Sequence, residues 1–311
     1  MLSPKEIIKI GTRASKLAMW QAEFVADQLH SVGFKTEILP IETKGDKILD
    51  RTLSKIGSKG VFTEELENGL RNGTFNIAVH SAKDMPSQLD EDLSLISYSE
   101  REKSCDVLVS TNAALDISKP VTIGTSSTRR VALLKHYYPH VNIVDMRGNL
   151  QTRFGKMESG ICDALLLAYA GVHRMGLEKN IVKEFSPKEF TPPTGQGSVT
   201  IEVSLTRMDQ STIESIRAAC NHIDTEKVLL TERAFLSEMN GGCSIPTFAN
   251  ATLENDKISI SAGIVSLDGQ SLIRKSGQGS DPLSLGQSIA QEVLESGGDV
   301  ILENIKKALN S

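Results

Sequence analysis

One layout is used twice in this chain. An apolar run, Ile7 to Ile10, meets a tight turn, Gly11 to Ser15. Lys16 to His30 follows as an amphipathic stretch, with Leu17, Trp20, Phe24, Val25 and Leu29 on one helical stripe. Val121 to Gly124, Thr125 to Arg130 and Val131 to His136 repeat the pattern of strand, polar turn with Ser and Arg, and helix. Each copy has a further echo: Gly73, Asn76 and Ile77 to Val79 are matched by Gly160, Asp163 and Ala164 to Ala168. Strand, glycine turn and helix is the opening of a parallel α/β unit. The fold class is therefore α/β with two similar lobes, and 311 residues exceed one ordinary core.

Pro192, Pro193, Gly195 and Gly197 form a hinge-like cluster before another strand, Val199 to Leu205. Returning that strand to the first lobe makes two crossings and a clamshell with its ligand in the cleft. Lobe 1 then comprises residues 1–99 and 198–216, and lobe 2 residues 100–197. The pattern leaves the strand order within each lobe open. Beyond Ile213 the character changes. Helix Lys227 to Met239 ends at Asn240, Gly241 and Gly242, and Thr247 to Leu253, Lys257 to Val265 and Gln270 to Gly277 alternate like strands of an open antiparallel sheet. With a closing helix at Leu285 to Ser296, residues 217–311 read as a smaller α+β C-terminal domain.

A net charge of -5 argues against wholesale nucleic-acid binding, so any anion must be gripped by local clusters. No apolar run approaches the roughly 20 residues that span a bilayer, and no signal peptide opens the chain; a cytoplasmic protein is expected. The cysteines Cys105, Cys162, Cys220 and Cys243 lack metal-type spacing, and neither a metal site nor a disulfide framework is indicated. Cys162 and Cys220 read as core. Cys243 stands on a Gly-Gly turn and is either inert or a nucleophile or attachment point.

The chemistry is expected at Ile77 to Pro86, where a buried strand ends abruptly in His80, Ser81, Lys83 and Asp84. Arg13 with Ser15, the pair Arg129 and Arg130, and Arg147 with Arg153 lie past predicted strand ends, and Arg174 follows Leu165 to Ala168. Arginine suits bidentate binding of carboxylates and phosphates, so several facing one cleft imply a ligand with many negative groups. No Gly-x-Gly-x-x-Gly fingerprint or P-loop is present; a poly-carboxylate fits as well as a phosphate. Asp84 among cations reads as a proton shuttle or counter-charge to an N–H-bearing ligand, or as a simple ion pair with Lys83. Thr43 to Gly60, with four lysines, two aspartates and three glycines, is either a lid carrying Lys55 and Lys59 or a charged surface loop.

Gly11 to Ala18, Gly57 to Leu66, Ala78 to Pro86, Gly124 to Arg130, Arg147 to Arg153, Gly195 to Glu202 and Asn240 to Pro246, in that order, resemble the porphobilinogen deaminase (hydroxymethylbilane synthase) family. The resemblance covers nearly the whole chain. It implies two periplasmic-binding-protein-like lobes and a third domain whose Cys243 holds a dipyrromethane cofactor by a thioether. Four porphobilinogen molecules would be condensed head to tail onto it, each losing ammonia, before hydrolysis releases hydroxymethylbilane for tetrapyrrole and heme synthesis. Every ring of such a chain bears acetate and propionate groups, a poly-carboxylate for the arginines.

Carried onto matching positions, the resemblance makes Asp84 the catalytic carboxylate. It assigns Lys83, Ser127, Arg129, Arg130 and Arg147 to the cofactor, and Arg13, Ser15, Thr125, Arg153, Arg174 and Gln196 to substrate. Lys55, Lys59 and Phe62 match a lid. The implied protein is a monomer acting on a small molecule, with no nucleic acid or membrane as partner. Cys105 and Ser204 depart from the expected pattern without touching this chemistry. A two-lobed solute-binding or ligand-sensing module for a poly-carboxylate is the alternative; it explains lobes and arginines but neither Cys243 nor Asp84.

Overall fold

The computed structural model describes residues 7–47, 63–240 and 244–310. The chain opens with β1 (Ile7–Arg13), α1 (Lys16–Ser31) and β2 (Lys35–Ile41). After a helical turn at Lys44–Lys47 come α2 (Glu64–Asn72), β3 (Ile77–Ser81) and β4 (Leu93–Tyr98). Next come β5 (Asp106–Val109), β6 (Thr122–Gly124), α3 (Thr128–Tyr137), β7 (Asn142–Val144), α4 (Leu150–Glu158), β8 (Ala164–Ala168), α5 (Tyr169–Arg174) and β9 (Ile181–Glu184). The last third contains β10 (Val199–Ser204), α6 (Gln210–Cys220), α7 (Ile223–Glu238), β11 (Thr247–Glu254), β12 (Lys257–Val265), β13 (Leu272–Gly279), α8 (Pro282–Val293) and α9 (Asp299–Asn310).

The strand order that periodicity leaves open proves to be the same in both large sheets. The first runs β2-β1-β3-β10-β4 and the second β7-β6-β8-β5-β9. In each, three parallel strands come first and the fourth position is filled by an antiparallel strand, β10 or β5. The described chain forms two compact units, one of residues 7–47, 63–102 and 197–226, the other of 103–196, 227–240 and 244–310. Each antiparallel strand thus opens a segment that has just entered its unit.

In the first unit, alternation along the strands sends Ile8, Ile10, Ile77, Val79, Val199, Ile201 and Val203 to a core shared with Ala22, Val25 and Leu29 of α1 and Ile213 and Ile216 of α6. The buried face of α1 is Ala18, Gln21, Ala22, Val25, Ala26 and Leu29, so the apolar stripe expected from the sequence is rotated. Trp20 and Phe24 stack on its flank at 5.5 Å. Alanines let the helix lie close to the sheet, which large aromatics would prevent. Leu66 and Leu70 of α2, with Phe75, cover the other side against Ala78. Residues 217–226, including Cys220, belong to this unit.

The antiparallel sheet β11-β12-β13 shares a core with the second large sheet. Phe248 and Val265 pack with Leu108, Ile123, Leu133, Ala164 and Phe190. Glu232 of α7 is buried and accepts the backbone N–H groups of Gly195 (2.8 Å) and Ala251 (2.7 Å). The β12–β13 turn seats Gly269 against α3, where His136 Nδ1 donates to the Gly269 carbonyl at 2.6 Å. Gly269 has φ +76, and a Cβ there would stand 2.7 Å from the Ala132 oxygen. The helix expected to close the chain at Ser296 is followed by another. Gly297, at φ +98, kinks the path, after which α9 buries Ile301, Leu302 and Ile305. Among the described residues no helix is long and apolar enough to cross a membrane.

Candidate active site

Polar loops gather at the carboxyl edges of the two large sheets because parallel strands all discharge there. In the first sheet β1 and β3 are parallel neighbours, with Gly11 opposite Ala78. Arg13 ends β1, and the Ser15 hydroxyl caps α1 by accepting the Ala18 N–H at 3.3 Å. Past β3 a single 3-10 turn, Ala82–Asp84, carries Lys83 and Asp84. Ala82 and Met85 are buried on either side of these half-buried residues, and the Ala82 N–H donates to the Ser198 carbonyl at 3.0 Å. Two apolar anchors and one strand contact therefore position the turn.

His80 does not join that edge. Its Nε2 lies 3.0 Å from Glu202 Oε2, with both side chains buried. Glu202 sits among Thr200 and Ser204 on the polar face of β10, an alternation visible in the sequence. Burial, with the nearby Glu202 carboxylate, pushes the Glu67 carboxyl up from its ordinary range.

In the second sheet β6 lies parallel to both β7 and β8, and the three segments that follow them hold the remaining described candidates except Gln196. Thr125 is buried and its hydroxyl accepts the Ser127 N–H at 3.3 Å; Ser127 in turn caps α3. A Cβ on Gly124 would stand 2.9 Å from Cys162 Sγ, so glycine allows the packing beneath this loop. Arg147 is buried after β7. Asn149 caps α4, and Arg153 Nε donates to the Gly148 carbonyl at 2.8 Å. Arg174, half-buried, is the last residue of α5.

Arg129 and Arg130 sit in the first turn of α3 and meet Asp106, the first residue of β5, which reasoning from the sequence missed. Arg129 Nη2 donates to Asp106 Oδ2 at 2.6 Å and its Nη1 to the Thr191 carbonyl at 2.8 Å. Arg130 gives Oδ1 two N–H groups, from Nη2 at 2.7 Å and Nε at 3.1 Å, and its Nη1 reaches the Leu166 carbonyl at 3.1 Å. Gln196 Nε2 adds a bond to Oδ1 at 3.0 Å. Burial alone would push the Asp106 carboxyl up, but the two guanidiniums more than offset it and hold it well below the usual carboxylate range. Arg129 Nε is buried without a hydrogen-bond partner among the described residues. A signal existed: Asp106 heads the apolar run Val107 to Val109, where a carboxylate needs partners.

Arg13, Ser15, Lys83 and Asp84 thus share the first edge. Thr125, Ser127, Arg129, Arg130, Arg147 and Arg153 share the second, Gln196 joins them through Asp106, and Arg174 lies one short helix beyond. Lys55, Lys59, Phe62 and Cys243 lie outside the described residues. Cys105, Cys162 and Cys220 are buried; burial pushes the Cys105 thiol up to about 11 and that of Cys220 to about 12, so neither is a ready thiolate.

Residues 8–214 match the family model described as porphobilinogen deaminase, dipyromethane cofactor binding domain, and residues 227–295 match porphobilinogen deaminase, C-terminal domain. The chain is 53% identical over 305 residues to a porphobilinogen deaminase of Desulfosudis oleivorans, covering 96% of this chain and 98% of that one. It is 50% identical to that of Cytophaga hutchinsonii, covering 97% and 98%. Solved structures similar to it include the Bordetella pertussis BvgS VFT2 domain, 15% identical with a TM-score of 0.43 over 73% of this chain and 92% of that one. Likeness at that distance carries nothing about function.

Proposed function

Because the chain belongs to the porphobilinogen deaminase family, we infer that it is a transferase condensing four porphobilinogen molecules head to tail and, after hydrolysis, releasing hydroxymethylbilane. The pathway served is porphyrin and heme synthesis, and the cofactor is dipyrromethane. The observation that carries the reading is the cationic carboxyl edge of the second sheet, with Arg129, Arg130, Arg147 and Arg153 around two capped helix starts. Its donors fit a group bearing several carboxylates, and the buried, unpartnered Arg129 Nε supplies one ready N–H.

When bound, dipyrromethane supplies the free pyrrole α-carbon that the first substrate extends; we assign its attachment to Cys243. Lys83, Ser127, Arg129, Arg130 and Arg147 hold its carboxylates. Arg13, Ser15, Thr125, Arg153, Arg174 and Gln196 serve those of the substrate and growing chain, with Lys55, Lys59 and Phe62 as a lid. Guanidinium forks fix each ring by its side chains and leave the reacting carbons uncovered. Asp84, on its anchored turn, is the catalytic carboxylate. A carboxylate facing pyrrole N–H groups stabilises the cation left when porphobilinogen loses ammonia, and it accepts and returns protons during attack. The same reading has the protein act as a cytoplasmic monomer, with neither nucleic acid nor membrane as partner.

Intact mass of the denatured protein tests this directly. The expected result is an excess equal to two condensed pyrrole units, absent from Cys243→Ser. A bare sequence mass that incubation with porphobilinogen leaves unchanged would overturn the reading.

A further inference from the structure

Asp106 is fully buried, as is nearly all of the two arginines it holds: their side chains are 5% and 8% exposed. A carboxylate in such a place needs a cation, and one arginine would suffice. Here there are two, and neither guanidinium is hydrogen-bonded to a second carboxylate among the described residues. Two positive groups against one negative leave the cluster with an unbalanced buried charge, which is costly unless another anion completes it. The unpartnered Arg129 Nε is the donor such an anion would find.

The location matters as much as the charge. Asp106 faces Ala168 across the β5–β8 pairing, so it stands at the edge where the arginine loops leave the sheet. The chain enters this unit at residue 103 and leaves it after 196. Gln196 Nε2 bonds both Asp106 Oδ1 (3.0 Å) and the Ser104 carbonyl (2.7 Å). One carboxylate therefore ties the entering strand, the departing segment and the start of α3 together.

We propose that Asp106 is a positioning residue of the condensation reaction: by gripping Arg129, Arg130 and Gln196 at once, it fixes the direction in which the two arginines offer their N–H donors to ligand carboxylates. This rests on the ligand-binding role of those arginines proposed above. Asp106 itself touches no substrate and acts through its partners. A structural ion pair would matter only to folding; a positioning residue also sets the affinity of the folded enzyme.

The test compares purified holoenzyme of wild type, Asp106→Asn, Asp106→Glu, Arg130→Gln and Asp106→Asn/Arg130→Gln. Folded fraction is measured by thermal melting, cofactor by intact mass, and KM and kcat for porphobilinogen are expressed per folded, cofactor-loaded molecule. Asp106→Asn is expected to raise KM by about tenfold, with a smaller change in kcat, and to add little on the Arg130→Gln background. Asp106→Glu keeps the charge but moves the carboxylate by one methylene, so it too should raise KM; it decides the matter if Asp106→Asn does not fold. A wild-type KM in folded Asp106→Asn or Asp106→Glu overturns the proposal, as does a full multiplicative effect in the double variant. If Arg130→Gln alone leaves KM and cofactor mass unchanged, the ligand-binding reading fails first and takes this proposal with it.

Discussion

Where the antiparallel strand meets the end of its parallel neighbour, the two large sheets carry different side-chain pairs. Val199 lies opposite Ser81 in the first, and Asp106 lies opposite Ala168 in the second. The second sheet therefore keeps its carboxylate at the edge, gripped by Arg129 and Arg130. In the first, the buried carboxylate is three residues further along β10, where Glu202 meets His80, and the edge is left to Lys83 and Asp84 on a half-buried turn. One backbone frame thus supports a half-buried carboxylate turn on one sheet and an arginine cluster on the other. Catalysis and ligand grip should be separable by substitution.

Asp84→Asn should divide them most sharply. It is expected to fold, keep its cofactor mass and lose about 10²- to 10⁴-fold in kcat, the scale of general acid–base and electrostatic catalysis. Turnover near wild type would remove Asp84 from the chemistry and erase the contrast between edges.

Arg130→Ala acts on the other side of the comparison. It takes three N–H donors from Asp106 and Leu166 in a buried setting, and a stability loss of about 3 kcal/mol is expected along with impaired cofactor loading. A melting curve and mass spectrum matching wild type would show that Asp106 and the Leu166 carbonyl do not need these donors.

Titration supplies a gentler contrast, since buried Asp106 and half-buried Glu67 shift in opposite senses. Asp106 is held below its ordinary 3.8, so its stabilisation is present above that value and is lost as pH falls through the depressed folded value. Glu67 is raised above its ordinary 4.5, so its favourable contribution exists below that value and is lost as pH rises through the raised one. Glu67→Gln should consequently raise stability at pH 8 by less than about 1 kcal/mol and leave it unchanged near pH 4. A midpoint lowered at both pH values would show that Glu67 contributes through contacts that do not depend on its charge.

Much of this was legible in the sequence. Period-2 and period-3.6 patterns locate most strands and helices, and the Gly-Thr turns with Ser15 and Ser127 announce two like α/β sheets because glycine turns and hydroxyl caps act within a few residues. Asp84, Arg129 and Arg147 were visible as charges placed just past apolar runs. Less visible were the rotated face of α1, where closeness to the sheet favours Ala22 and Ala26 over Trp20, and α9, hidden behind Gly297 and Gly298.

By itself, then, the sequence determined the fold class, the repeat and the family, since these rest on local periodicity and on ordered motifs. Only the tertiary structure decided the strand order, the pairing of His80 with Glu202 and the convergence of Arg129, Arg130 and Gln196 on Asp106. Asp106 and Gln196 are 90 positions apart along the chain. Nothing in either neighbourhood specifies the other; what joins them is the antiparallel entry of β5 beside β8 and the cost of leaving a buried charge without a partner.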